Sequence, residues 1–172
     1  EMVKESDSWR MYAKEVVAIS ETDTYTSLSQ KLSQAGATIL EKYLLDYVNG
    51  KIEGETQNEY EATFANKILP EEERLNISLD KKSLIHKIHS LSEEPGGYLY
   101  LGDKKLKIFL ASSFDDIESQ PIGALSISQK KLLLQAKGGH VALLSVQLEG
   151  KKRMSGLDFA SGAHLDGTEL LS

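Results

Sequence analysis

The run Lys105–Leu110 holds the most informative chemistry in this sequence. In an extended segment successive side chains point to opposite faces. Leu106, Ile108 and Leu110 therefore share one face, and Lys105, Lys107 and Phe109 share the other. Two ammonium groups beside an aromatic ring suit a phosphate backbone with an unstacked base nearby. For this strand by itself a solvated edge with ordinary lysines is the simpler account, because edge strands favour Lys. Further basic clusters stand at Lys130-Lys131, at Lys137 and at Lys151-Lys152-Arg153. Gathered on one side, they would bind a polyanion by releasing counterions, so affinity would fall steeply with salt and carry little base information. The triple cluster weighs against scattered surface charge.

Other chemistry is thin. His86 and His89 stand three apart on an expected helix, but no third ligand stands at motif spacing, so the pair reads as surface decoration and no metal is expected. His140 and His164 fall in expected turn regions and support no triad. The sequence has no Gly-rich phosphate loop, no nucleophile elbow and no paired carboxylates in an apolar setting. Asn76-Ile77-Ser78 matches a glycosylation sequon by chance.

The elements that would position these residues follow from periodicity. Met11–Ile19 reads as a strand. Asp23 and Thr24 then offer cap chemistry to a helix whose stripe runs through Leu28, Leu32, Ala35, Ile39 and Tyr43, widened by Leu40, Leu44 and Val48. Asn49-Gly50 ends it, and Gly36 marks a place for a bend or break. A second helix is expected from Asp80 to Leu91, with Leu84, Ile85, Ile88 and Leu91 buried. After Pro95-Gly96-Gly97 the period becomes two. Tyr98–Leu101 and Lys105–Ala111 flank a Gly102-Asp103 turn, and Pro121–Ser128, Lys131–Ala136 and His140–Leu148 follow. Ser155 with Asp158 resembles a capping box for a short helix through Ala160, stopped near Gly162. The expected fold is α+β, mostly β: a small open barrel of the oligonucleotide-binding kind with short helices. Three regions result, residues 1–49, a linker at 50–66 and the barrel at 67–172.

Bulk properties agree. The 172 residues, 40% hydrophobic and 27% charged, fit a globular chain. No apolar run could span a bilayer, Glu1–Arg10 is polar and unlike a signal peptide, and the lack of cysteine fits a reducing cytoplasm. The net charge of −6 resides in residues 1–65, which carry 6 basic and 12 acidic side chains, whereas the remainder is balanced.

Asp23-Thr24 with Gly36-Ala37, the run Ala62–Ile68 and the run Gln147–Ser155 resemble segments in the C-terminal half of methionyl-tRNA formyltransferases. Asp23-Thr24, Leu28, Lys31-Leu32 and Gly36-Ala37 are similar to the close of that family's catalytic domain. Ala62-Thr63-Phe64-Ala65-Asn66-Lys67-Ile68 resembles its linker signature, with Phe64 for Tyr and Asn66 for Pro. Arg74-Leu75-Asn76-Ile77-Ser78, Pro95-Gly96-Gly97-Tyr98 and Lys105-Leu106-Lys107-Ile108 match its next segments, with Ile77 in place of a Trp and Ser92-Glu93-Glu94 where Asn-Pro-Trp is common. The most specific match is Gln147-Leu148-Glu149-Gly150-Lys151-Lys152-Arg153-Met154-Ser155, with Asp158-Phe159 and Gly162 after it.

That family transfers a formyl group from 10-formyltetrahydrofolate to methionine on initiator tRNA, using an Asn, a His and an Asp of a Rossmann-like domain. The resemblance implies a strand–helix remnant of that domain in residues 1–49 and a tRNA-binding barrel. It also implies two partners, initiator methionyl-tRNA and the missing N-terminal catalytic domain. An ungapped alignment sets Val3 at the Asp position and Trp9-Arg10 where Gly-Asp is usual, while Asp7 matches. Val neither orients an imidazole nor holds a proton, so this chain is expected to have no catalytic residue, to need no cofactor and to be inactive alone. Lys105, Lys107, Lys151, Lys152 and Arg153 are the expected nucleic-acid contacts. Two alternatives remain at this point: a non-catalytic binding module pairing through the Leu28/Leu32/Ile39/Tyr43 stripe, and a sugar-nucleotide formyltransferase of the same architecture.

Overall fold

A computed structural model of the chain describes residues 10–115, 118–163 and 170–172. It divides into two compact units, one of residues up to Ser20 with Ser27–Lys67, the other of Glu21–Thr26 with Ile68–Ser172. Val3, Asp7, Trp9 and His164 lie outside the described residues. No helix among the described residues is long and apolar enough to cross a membrane.

The first unit holds all but the first two residues of α1 (Tyr25–Val48). Its C-terminus is a Schellman turn, in which the Gly50 N–H donates to Tyr47 O at 3.0 Å and the Lys51 N–H to Asp46 O at 2.9 Å. Gly36 does not break the helix. A mid-helix Gly costs only about 1 kcal/mol relative to Ala, less than 24 residues of continuous hydrogen bonding return. No residue of α1 is buried, and Leu32, Leu40, Leu44 and Val48 are exposed. The strand expected at Met11–Ile19 does not form. Met11 alone makes a bridge, with Glu55, and Val16 is 92% exposed. An extended segment needs a neighbour for its N–H and C=O groups, and beyond Met11 this one has no ladder among the described residues.

In the second unit a 3₁₀ turn at Pro70–Glu73 leads to α2 (Lys81–Ser90). Asp80 caps α2, its carboxylate accepting from the Ser83 hydroxyl at 2.6 Å and the Ser83 N–H at 3.1 Å. Those bonds hold the Asp80 carboxyl below its ordinary range. The strands are β1 (Gly97–Leu101), β2 (Lys104–Phe114), β3 (Leu125–Ser128), β4 (Lys131–Ala136), β5 (Gly139–Leu148) and β6 (Met154–Ser155), followed by α3 (Gly156–Ala163). They form an antiparallel sheet ordered β1-β2-β5-β4-β3, with β6 added on β5. The sheet path is open, ending on β1 and β3. Leu170 and Leu171 make bridges to Ala124 and Leu101, next to those two ends.

One face of the sheet is the core. Leu84, Ile88 and Leu91 of the α2 region pack with Leu99, Leu106, Ile108, Leu132, Leu134, Val141, Leu143 and Val146, and Phe159 joins from α3. The stripe expected on α2 is buried as the spacing implied, and His89 is buried with it. α3 starts close to the sheet, since a Cβ built on Gly156 would stand 1.9 Å from the carbonyl oxygen of Leu143. The Ser155 hydroxyl accepts from the Asp158 N–H at 3.1 Å and donates to the Asp158 carboxylate at 2.7 Å, which caps this helix.

Candidate nucleic-acid interface

The hairpin register sets Tyr98 opposite Lys107 and Tyr100 opposite Lys105. These four side chains share the face away from the core, because Leu99 and Leu106, the pair between them, are buried. Lys105 Nζ lies 4.3 Å from the centre of the Tyr98 ring, and Tyr98 meets Tyr100 edge-on at 5.5 Å. Arg74 arrives from the segment after the 3₁₀ turn. The Leu75 N–H donates to Tyr98 O at 2.9 Å, and the Arg74 guanidinium lies 5.4 Å from the centre of Tyr100.

Alternation on β2 holds only as far as Ile108. Ile108 pairs with Val146 and Leu110 with Ser145, so Phe109 is an extra residue. Leu144 is the matching extra residue on β5, before Ala111 pairs with Leu143. Leu110, expected on the core face, is consequently 37% exposed. Phe109 is only 6% exposed and lies outside the core cluster. It packs by Gly96, whose φ of +81° favours glycine and where a Cβ would come 2.6 Å from the Phe109 ring. Its other cover is the guanidinium of Arg153, 4.3 Å from the ring centre.

The five basic residues expected from sequence come from two parts of the chain, and hydrogen bonds join those parts. The Glu149 N–H donates to Lys105 O at 2.8 Å, and the Lys105 N–H donates to the Glu149 carboxylate at 3.1 Å. This reciprocal pair ties the β5–β6 turn to the start of β2. Arg153 is held three ways. Its Nε donates to Ser145 Oγ at 2.7 Å, its NH1 lies 3.3 Å from the Glu93 carboxylate, and its guanidinium carbon lies over the Phe109 ring. Lys107 Nζ donates to Pro95 O at 2.6 Å. Lys151 and Lys152 stand exposed on the turn without a side-chain partner among the described residues, the turn itself being pinned by Gln147 Nε2 donating to Lys151 O at 2.9 Å.

The other basic clusters do not join this group. Lys137 precedes β5 and Lys151 follows it, and ten residues of strand separate the two by roughly 30 Å. Lys131 lies 5.2 Å from the Phe114 ring on the β3–β4 hairpin. Arg74, Tyr98 and Tyr100 are additions that sequence reasoning missed. The two tyrosines were recoverable from the hairpin register, whereas nothing near Arg74 in sequence signals where it goes.

The histidines need correction. His89 is 4% exposed and no surface residue: its Nε2–H donates to Ala111 O at 2.8 Å, while Nδ1 has no partner among the described residues. Of that pair only His86 is exposed. Both line a cavity of about 330 Å³ between α2 and β2. His140 lies in β5, not in a turn, and is buried. Burial pushes its imidazole below the ordinary value, nearby Lys81 adds to the effect and Asp115 opposes it. Among the described residues no three His, Cys, Asp or Glu side chains are grouped to hold a metal ion.

Comparison with known proteins agrees with the resemblance read from the motifs. The domain described as "Formyl transferase, C-terminal domain" matches residues 67–164. The methionyl-tRNA formyltransferase of Bacillus subtilis (strain 168) is 35% identical over 172 residues, covering 99% of this chain and 54% of that protein. That of Lactobacillus johnsonii is 32% identical over 163 residues, covering 94% and 52%. The chain thus spans about half the length of the curated relatives it matches. Neither the binding-module nor the sugar-nucleotide alternative is favoured by these relatives. Among solved structures, HypX from Aquifex aeolicus in complex with tetrahydrofolic acid aligns at a TM-score of 0.76 and 15% identity, over 96% of this chain and 29% of that one. This last likeness shows the fold. With residues 67–164 matched by that domain, the chain belongs to the formyl transferase C-terminal domain family.

Proposed function

We propose that the chain is the tRNA-binding C-terminal part of a methionyl-tRNA formyltransferase and works in the cytoplasm in translation initiation. Its RNA partner is initiator methionyl-tRNA, met through Lys105, Lys107, Lys151, Lys152 and Arg153. Formyl transfer from 10-formyltetrahydrofolate belongs to the catalytic domain, of which this chain carries no more than the closing segment. Alone, the chain binds RNA without using that co-substrate and without formylating it. On this reading the sheet is a small open barrel of the oligonucleotide-binding kind, its end strands brought near one another by residues 170–172, and α1 is the closing helix of the Rossmann-like domain.

One observation carries the proposal. The reciprocal Lys105–Glu149 bonds draw the Lys151–Arg153 turn to Lys105 and Lys107, which concentrates five cations where each strand or turn alone holds two or three. The test is binding of labelled initiator tRNA to the chain by fluorescence anisotropy at 50 and 200 mM salt. With a slope of about 0.9 per phosphate contact, five contacts weaken binding about 500-fold over that range. Removing two, in Lys151→Ala/Lys152→Ala, leaves about a 40-fold change. Lys31→Ala, on α1 and outside the candidate set, serves as the control. Binding indifferent to salt refutes the electrostatic basis, and an equal loss from Lys151→Ala and Lys31→Ala refutes the residue assignment.

A further inference from the structure

Every ring on this face already carries a cation. Lys105 covers Tyr98, Arg74 covers Tyr100 and Arg153 covers Phe109, at 4.3, 5.4 and 4.3 Å from the ring centres. Tyr98 and Phe109 are buried beneath that cover, and Tyr100 is half-buried. A base could stack on such a ring only by displacing the cation that a phosphate would need. Conversely, a cation already held against a ring gives up little freedom when an anion arrives. Arg153 is the most restrained of the three, since Ser145, Glu93 and Phe109 hold it together, with its Nε on Ser145 and one NH group facing Glu93.

We infer that Tyr98, Tyr100 and Phe109 are positioning residues, holding Lys105, Arg74 and Arg153 as a fixed set of charges that reads the phosphate backbone of paired RNA, and that they are not platforms for unstacked bases. Arg74 thereby joins the RNA contacts. The inference rests on the RNA-binding reading above. It replaces the unstacked base that the Lys-Phe alternation had suggested.

The experiment uses the whole chain, with a labelled RNA duplex and an oligouridine of equal length, each titrated between 50 and 200 mM salt. The chain should prefer the duplex. Arg74→Ala should weaken both RNAs and lower the slope of log K against log salt by about 0.7–0.9, the value of one phosphate contact. Tyr100→Leu should lower the slope by a similar amount, the double variant should fall no further, and Tyr100→Phe, which keeps the ring, should restore the slope. If Arg74→Ala tightens oligouridine binding, the uncovered ring is a stacking platform and the inference is wrong. It is equally wrong if Tyr100→Leu weakens binding at unchanged slope. Arg74→Ala needs no core change, so it decides the matter even if Tyr100→Leu misfolds. Should Lys151→Ala lower the slope while Arg74→Ala leaves it alone, the inference falls and the RNA-binding reading stands. Salt-independent binding of both RNAs would remove the reading beneath it.

Discussion

Gly156→Ala sets two principles against each other at the first residue of α3. Helix preference favours Ala over Gly by up to about 1 kcal/mol. Geometry opposes it, because the new methyl would stand 1.9 Å from the Leu143 carbonyl oxygen and 3.2 Å from Leu132 Cβ. Carbon and oxygen need about 3.2 Å, so α3 and β5 must part by more than 1 Å. The oxygen is backbone in a paired strand, so no rotamer change relieves the clash. Overpacking of this kind costs about 3 kcal/mol, which leaves a net loss near 2 kcal/mol. At about 4 °C per kcal/mol for a unit of this size, the melting temperature followed by circular dichroism should fall by about 8 °C. Arg153, three residues earlier, should move as well, so on the proposed RNA-binding reading the affinity should drop with the stability. A variant that melts at or above the parent temperature would show that the α3–β5 approach is not what requires glycine.

Two further outcomes can be measured directly. Ser155→Ala removes the oxygen that accepts from Asp158 N–H and should destabilise the second unit by about 1 kcal/mol, seen as a lower urea midpoint with unchanged slope. His140 holds its proton less readily folded than unfolded, so the unfolded chain gains a proton first as pH falls below about 6.5. Its contribution is therefore whole above that pH and shrinks toward the lower folded value. Urea midpoints at pH 7.5 and 5.5 should differ more for the parent than for His140→Gln, and equal differences would count against a buried neutral imidazole.

The sequence disclosed those elements whose pattern and environment coincide. α2 and β4 lie where spacing puts them because each buries one continuous stripe, and the Gly102-Asp103 turn fixes the hairpin register on which Lys105 and Lys107 depend. Met11–Ile19 misleads, since apolar and β-branched residues describe a strand only if a neighbour supplies the ladder. Leu110 misleads because a bulge changes parity, and no single residue type announces one. His89 misleads because its helix buries a broader stripe than Leu84, Ile85, Ile88 and Leu91 define. Arg74 reaches the Tyr98 and Tyr100 side of the hairpin through a tertiary bridge to Tyr98, which a local pattern does not encode.

The paired offsets at Phe109 and Leu144 have a consequence for how this domain can vary. Before them Ile108 pairs with Val146, after them Ala111 pairs with Leu143, and each strand has used one extra residue in between. The two insertions cancel, so the ladder resumes in the register it had before. A deletion at either site alone would leave the other uncompensated and shift Ser112–Phe114 by one step against Ala142–His140, exchanging buried for exposed positions at the far end of β2. Chain-length changes at these two places are therefore bound together. Relatives that share this sheet should gain or lose a residue at both or at neither, a correlation that an alignment of their β2 and β5 strands would reveal.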